Sequence, residues 1–312
     1  MTGQPYGLSF RGIKHIITSW IVRAVAWICR HSSLRTIHRL GDFFGSILLR
    51  VVTDRRSMAE DNIRLCLPEP LSDEEVHNIL RSSTQNITKT MLELFKVPTI
   101  SPERLRKLVP VDGMKHVERG VRDGKGVLLV TAHFGNWEYL GCRLALDHPT
   151  TGVARDAAHK ATARVINSAR ETFGARIIAR EDLRQMLRCL RRNEILFIVA
   201  DQHVTEGGVM VDFLGRPAMA PRGPAHLGMR TGCAVLPAFC IRGKDDSLRI
   251  KILPPIEMVR TEDSEKDVRR NTQRIYDMYA DMIQKHPRQW LWLHRRWRNL
   301  ETDEEKNGTT PA

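Results

Sequence analysis

The sequence predicts an α/β fold, a mixed and mostly parallel sheet flanked by helices, preceded by a helical, amphipathic amino-terminal region. Three observations carry this prediction. Short unbroken apolar runs, GVLLVTA (126–132), ILFIVA (195–200) and AVLPAFCIR (234–242), are bounded by turn or charged residues, as strands buried on both faces are. Helix-like stretches, ATARVINSARETF (161–173) and EDLRQMLRCLRRN (181–193), lie between them, and such alternation builds a sheet covered by helices. The 312 residues are 42 % apolar, which suits one large domain or a domain with a small lobe and excludes a disordered chain.

Residues 1–60 form the first segment. The run IITSWIVRAVAWIC (16–29) carries Arg23 near its middle and is short against the ~20 apolar residues of a spanning helix. It sits too far from the start for a signal peptide, and no A-x-A cleavage site follows. Ile13, Ile16, Ile17, Trp20, Ala24, Trp27 and Ile28 fall on one helical stripe, with Lys14, Arg23 and Arg30 off it. The segment holds nine Lys or Arg and three acids, +6 of the total +13. A basic amphipathic helix of this kind lies at an anionic leaflet; packing of the stripe on the fold is the alternative.

Residues 61–107 read as a helical lobe. Ser72 and Glu75 have capping-box spacing, Val76, Ile79, Leu80, Ile87, Met91 and Leu94 form a stripe, and Pro98 ends it. Residues 108–300 make the α/β core, in which LRIKI (248–252) adds an edge strand and SEKDVRRNTQRIYDMYADMIQKHP (264–287) a late helix stopped by Pro287. The end, ETDEEKNGTTPA (301–312), is composed like a disordered acidic tail.

A pI near 9.8 calls for an anionic partner: nucleic acid, a membrane surface, or an acidic protein or lipid headgroup. The six cysteines at 29, 66, 142, 189, 233 and 240 show neither CxxC nor metal spacing. They read as buried thiols in a reducing compartment, with no metal and no cofactor required. Half of the six tryptophans, Trp290, Trp292 and Trp297, stand beside Arg288, Arg295, Arg296 and Arg298. These could anchor at a bilayer, stack on bases or fill the core. With no RNP motif, zinc-finger spacing or helix-turn-helix context, the membrane is favoured over nucleic acid.

The most informative segment is HFGNWE, fed directly by GVLLVTA. His133 and Glu138 are five apart, about 140° around a continuous helix, so they cooperate only if a turn intervenes. Gly135 supplies the turn and Asn136 can cap a helix starting at Trp137. The pair then stands at the carboxyl end of a strand, where open α/β sheets place their sites. Histidine can take a proton from a hydroxyl while a carboxylate on its other nitrogen fixes the tautomer. No G-x-S-x-G occurs, so the nucleophile is the substrate's own hydroxyl. A hydrogen-bonded structural histidine beside a helix cap would have the same residues.

HFGNWE, ADQHVTEGGVMVDFLGRPAMAPRGPAHLGMRTGCAVLPAF (200–239) and HPRQWLWLHRRWR (286–298) together resemble the lipid A lauroyl/myristoyl acyltransferases, a branch of the lysophospholipid acyltransferase superfamily, over residues 40–300. The resemblance implies a glycerolipid acyltransferase-like core. It implies transfer of a fatty acyl chain, without a metal, from acyl carrier protein or acyl-CoA to a hydroxyl of a membrane-embedded lipid A precursor. It makes His133 and Glu138 the catalytic pair and puts Arg170 near the active site, where residues alone suggest a solvated helix arginine. Asp201 and Gln202 match the family's DQ pair, assigned to shaping the substrate site rather than to proton transfer. Gly215, Arg216 and Arg222, with Gly207, Gly208 and Gly223, match its substrate-binding loop, whose arginines suit phosphate oxygens. His203 stands where the family usually has an acid, Leu214 replaces a phenylalanine, and the EGTRS-type motif of the glycerol-phosphate branch is absent.

The expected location is the inner membrane with the catalytic domain facing the cytoplasm. Another glycolipid or a lysophospholipid is the alternative acceptor. A non-enzymatic membrane- or RNA-binding protein is the reading from a different class.

Overall fold

The computed structural model of the chain describes residues 10–155 and 160–297. Four helices come first: α1 (Phe10–His31), α2 (Leu34–Val51), α3 (Thr53–Cys66) and α4 (Asp73–Lys96). α4 starts on its capping box: the Ser72 side chain accepts from the Glu75 amide, and Glu75 reaches back to the Ser72 amide. Pro98 ends it in a single 3₁₀ turn, Val97–Thr99.

Alternation follows: α5 (Pro102–Leu108), β1 (Val111–Asp112), α6 (Met114–Arg122), β2 (Val127–Thr131), α7 (Trp137–Ala145), β3 (Thr150–Ala154), α8 (Lys160–Arg170), β4 (Arg176–Ala179), α9 (Leu183–Arg191) and β5 (Ile195–Val199). The chain continues with β6 (Gly208–Phe213), β7 (Arg216–Pro221), α10 (Gly223–Thr231), β8 (Ala234–Arg242), β9 (Leu248–Ile252) and α11 (Ser264–Lys285). Among the described residues, seven strands form one sheet in the order β1-β9-β8-β2-β5-β3-β4, and β6 and β7 form a separate hairpin. Every pairing in the large sheet is parallel except that of β8 with β9.

The three apolar runs become adjacent central strands, β8, β2 and β5, and all five residues of β2 are buried. LRIKI becomes β9 but not an edge, because the two residues of β1 pair outside it. From β2 the chain builds β3 and β4 to one side, returns to β5 beside β2, then crosses to β8 on the other flank. The strand order reverses at β2 and β5, so their carboxyl ends open a crevice. Leu129 and Phe197 face one layer with Tyr139 and Leu140 of α7. Leu128 and Ile198 face the other with Met186 of α9 and Tyr276 of α11.

On α1 the inward line is Ser19, Ala26 and Cys29, whereas Trp20 and Trp27 of the apolar stripe are 64 % and 63 % exposed. The stripe is therefore not packed on the fold where its side chains are described; those of Ile13, Ile16 and Ile17 lie outside the described residues. α2 continues this outward surface with Phe43, Phe44 and Val51, while its buried line of Ile37, Gly41, Gly45 and Leu49 lies inward. No described helix is long and apolar enough to cross a membrane.

Of the settings open to them, the carboxyl-terminal tryptophans take the core and not the bilayer surface. Trp290, Trp292 and Trp297 are at most 4 % exposed and belong to the core around Phe213, because after α11 the chain folds back under the sheet edge, pairing Trp290 with Phe134. All six cysteines are buried free thiols, and burial pushes those of Cys66, Cys142 and Cys240 up to about 12. The tail at 301–312 lies outside the described residues.

Candidate active site

The turn between His133 and Glu138 is set by close approach. Gly135 has φ +57°, and a β-carbon there would lie 1.8 Å from the Cys240 carbonyl oxygen. Only glycine fits such a site without a shift of the backbone. The Gly135 amide donates to the Gln289 carbonyl at 2.9 Å, and its carbonyl accepts from Asn86 at 3.1 Å and Thr90 at 2.9 Å of α4. Asn136 then caps α7, its side-chain oxygen accepting from the Tyr139 amide at 2.8 Å, as its position predicts.

The other end of the Asn136 amide donates to Glu93 at 2.7 Å. Glu93, 1 % exposed on α4, also receives both arms of Arg242 at 2.9 and 2.6 Å and lies 2.7 Å from His38 Nε2. Burial opposes its charge, but Arg242 and His38 outweigh burial and hold the carboxyl down at about 2. The turn is thus bolted to α4 by groups whose sequence separations gave no hint of contact.

β2 and β5 pair in parallel with Thr131 opposite Val199, which brings the residues two beyond each end together. Asp201 Oδ1 lies 2.6 Å from His133 Nδ1, and Asp201 Oδ2 accepts the His133 amide at 2.9 Å and the Trp290 indole N–H at 2.8 Å. A carboxylate can only accept here, so Nδ1 carries the proton and Nε2 is left with its lone pair. Burial opposes the imidazolium, but the Asp201 charge and hydrogen bond prevail and raise His133 above its ordinary value. Burial likewise opposes the Asp201 anion, yet His133 and Trp290 hold it at about 2.

This corrects the expected pairing, in which Glu138 orients His133 and Asp201 shapes the site. The turn at Gly135 swings the first turn of α7 so that Glu138 meets α8 instead. Arg170 grips Glu138 with two bonds, Nε to Oε2 at 2.9 Å and Nη2 to Oε1 at 2.6 Å, and the Trp137 indole adds a third at 3.1 Å. Arg170 is therefore no solvated helix arginine. Glu138 still adds an electrostatic pull that favours the His133 cation.

His133, Glu138, Arg170, Gln202 and Arg222 line one cavity of about 730 Å³ at this crevice. Arg222 also donates to Glu265 at 2.6 Å. Gly215 and Arg216 do not join them, a second correction. The segment expected to be a substrate loop is the β6–β7 hairpin, with Phe213 opposite Arg216 and a two-residue turn of Leu214 (φ 57°) and Gly215 (φ 78°). Both positive angles mark the turn that matches strand twist, so this glycine serves the hairpin. Arg216 donates to Asn62 of α3 at 2.7 Å and lies over the Trp297 ring. Sequence reasoning missed Trp290, Glu93 and Gln289 as supports; the tryptophan cluster was visible, but not its contact with Asp201. Among the described residues, no group of three or more histidine, cysteine or acidic side chains could hold a metal ion.

A family model for the bacterial lipid A biosynthesis acyltransferases matches residues 8–299. The chain is 28 % identical over 240 residues to a phosphatidylinositol mannoside acyltransferase of Mycobacterium tuberculosis, covering 74 % of this chain and 71 % of that one. It is 24 % identical over 284 residues to a lipid A biosynthesis lauroyltransferase of Escherichia coli, covering 90 % and 91 %. To a palmitoleoyltransferase of lipid A biosynthesis from the same organism it is 24 % identical over 289 residues, 92 % of each chain.

Proposed function

Because the chain belongs to the bacterial lipid A biosynthesis acyltransferase family and is an acyltransferase, we propose that it moves a fatty acyl chain from acyl carrier protein or acyl-CoA to a hydroxyl of a lipid A precursor. The observation that carries this reading is the Asp201–His133 pair at the edge of a largely apolar cavity. Nε2 of His133 takes the acceptor's proton, and the oxygen attacks the thioester carbonyl. The positive end of α7, whose residues Trp137 and Glu138 line the cavity, and Arg170 stabilise the tetrahedral oxyanion. The carbon–sulfur bond then breaks, the imidazolium returns its proton to the leaving thiolate, and an ester and a free thiol result. Asp201 fixes the tautomer and stabilises the imidazolium. Glu138 holds Arg170 and lends its field to the same cation.

The exposed apolar surface of α1 and α2 is the membrane contact. Trp20, Trp27, Phe43 and Phe44 enter the headgroup boundary and the surrounding arginines meet anionic lipid. The enzyme then works at the cytoplasmic face of the inner membrane, where both donors are found. No nucleic acid and no cofactor is required.

The test is transfer by the purified chain from acyl carrier protein thioesters to a lipid A precursor, read by mass spectrometry. The precursor gains one acyl chain with the wild-type protein and none with His133→Ala; transfer by that variant at the wild-type rate would overturn the assignment. The similarity to a phosphatidylinositol mannoside acyltransferase favours a mannosylated phosphatidylinositol as second acceptor, run in parallel. RNA binding without vesicle binding would replace both readings.

A further inference from the structure

After α11 the chain makes one 3₁₀ turn, Pro287–Gln289, and then lies against the segment that carries His133. The Leu291 amide donates to the His133 carbonyl at 3.1 Å, the Gly135 amide donates to the Gln289 carbonyl at 2.9 Å, and Trp290 bridges to Phe134 between them. Ser83 of α4 donates to the Trp290 carbonyl, and the Gln289 side chain exchanges hydrogen bonds with the Arg242 backbone at 2.8 Å each. The backbone around residue 290 is thus held by the His133 segment, by α4 and by β8.

The indole is held as firmly. It is buried edge-to-face against Phe213, Trp292 and Trp297, with ring centroids 5.6, 4.8 and 6.1 Å away, and such arrangements fix ring orientation. Packing alone does not dictate where its N–H ends. Trp297, in the same cluster, has no partner for its indole N–H among the described residues, and Trp292 gives its own to the Pro287 carbonyl at 2.7 Å. Trp290 points its N–H at a carboxylate, Oδ2 of Asp201, at 2.8 Å.

That carboxylate is buried, and its three bonds divide the work. Oδ2 takes the Trp290 indole and the His133 amide, which leaves Oδ1 for Nδ1 of His133 at 2.6 Å. The terminal torsion of an aspartate has a broad well, so one donor on Oδ2 does not settle it. Two donors arriving from different elements do.

We infer that Trp290 is a positioning residue: its indole N–H, acting with the His133 amide, sets the rotation of the Asp201 carboxylate that places Oδ1 on Nδ1 of His133. Trp290 does not line the cavity, so it acts on the reaction through Asp201. The kinetic part of the inference rests on the acyl-transfer reading above; the ring titration does not.

Trp290→Phe keeps a ring in the cluster and removes the N–H. Trp292→Phe is the control, the same change in the same cluster at an N–H that serves a carbonyl instead. The first measurement follows the His133 ring by NMR in the full chain without substrate, with His133→Gln identifying its signals. Asp201, Glu138 of α7, Arg170 of α8 and His294 bear electrostatically on this ring, and Tyr276 and Tyr279 of α11 bear on Asp201. Trp290→Phe deletes a bond to Asp201 alone. Burial opposes the imidazolium, so a carboxylate turned off Nδ1 supports it less, and the titration moves to lower pH by about half a unit or more. The Nδ1 proton, deshielded in the short bond, moves upfield and exchanges faster. Trp292→Phe leaves both as in the wild type.

The second measurement is kcat and KM with acyl carrier protein thioesters from pH 5 to 9. In Trp290→Phe kcat falls about tenfold to hundredfold, the worth of a hydrogen bond to a charged group, while KM stays within about twofold. The rising limb of the pH profile moves down with the ring titration. Trp292→Phe keeps kcat within about threefold. An unchanged ring titration overturns the inference, and so does one displaced to higher pH, the result if the indole only drew charge from Asp201. An equal effect of both variants overturns it too. Should Trp290→Phe unfold, a benzothiophene in place of the indole at 290, with sulfur where the N–H was, keeps the volume and is held to the same outcomes. Absence of wild-type transfer to either glycolipid sinks the acyl-transfer reading alone, because the ring titration still decides the role of Trp290.

Discussion

Replacing Asp201 by asparagine separates its role from that of Glu138. The buried carboxylate accepts three hydrogen bonds, two of them from His133. Asparagine keeps the volume, and its oxygen can still serve the His133 amide and the Trp290 indole. Its NH₂ group then faces Nδ1, a donor where the ring needs an acceptor. The ring answers by moving its proton to Nε2, leaving no lone pair for the substrate hydroxyl. A comparable tautomer reversal in serine proteases lowers kcat by about 10⁴. We expect kcat to fall by 10³ to 10⁴, about 4–5.5 kcal/mol of transition-state stabilisation at 1.36 kcal/mol per tenfold.

The pH profile distinguishes tautomer loss from a mere pKa change. His133 must be neutral to act as a base, so wild-type kcat/KM rises with pH through a value above the ordinary 6.5. Without the Asp201 anion, burial is opposed by less charge and the limb moves to lower pH. A pKa effect alone would raise activity below neutrality, whereas the tautomer change depresses the whole profile. Glu138→Gln weakens the grip on Arg170 and lowers activity while moving the limb less. Stopped-time assays of both variants from pH 5 to 9 decide the matter. If Asp201→Asn stays within tenfold of wild type while Glu138→Gln loses 10³, the His133–Asp201 assignment is wrong.

Three further outcomes are expected. Gly135→Ala forces a β-carbon to within 1.8 Å of the Cys240 carbonyl and costs at least about 3 kcal/mol in urea unfolding; a loss under 1 kcal/mol would show that the turn relaxes freely. Glu93→Gln leaves buried Arg242 with only the longer contact to Asp246, 3.7 Å away, to balance its charge and costs about 3–5 kcal/mol. In the wild type the Glu93 carboxyl is depressed from 4.5 to about 2, so its contribution is full above pH 4.5 and is lost as pH falls toward 2, a slope of thermal midpoint that Glu93→Gln flattens. Trp20→Ala with Trp27→Ala lowers partition into anionic vesicles by tenfold or more, from about 1.5–3 kcal/mol per large apolar side chain withdrawn, with an unchanged melting temperature because both rings are exposed.

The legible parts of this chain are those governed by local physics. Continuous apolar runs reveal the three central strands, because a strand buried on both faces has no polar side to break the pattern. β3 escaped, since TTGVA pairs small and polar residues. Those small residues leave room for the cavity that they line. The capping box and proline stop of α4 and the Asn136 cap of α7 were likewise readable, since each cap joins residues three apart. Gly215 and Arg216 misled for a related reason: a glycine-and-arginine segment has the same composition in a ligand loop as in a hairpin turn.

By itself the sequence determined the three central strands and the helices α4, α8, α9 and α11, the strand-to-helix turn that displays His133, and membership of an acyltransferase family. Only the tertiary structure decided which carboxylate serves the histidine. Glu138 is five residues away and Asp201 is 68, so spacing favoured the nearer acid. The parallel register of β2 with β5 overrides spacing, because it sets two strand ends side by side whatever length of chain lies between them. The same register turns Gly152 and Phe197 toward α7 and so shapes the cavity. Neither the pairing nor the cavity exists until strands far apart in sequence are hydrogen-bonded neighbours.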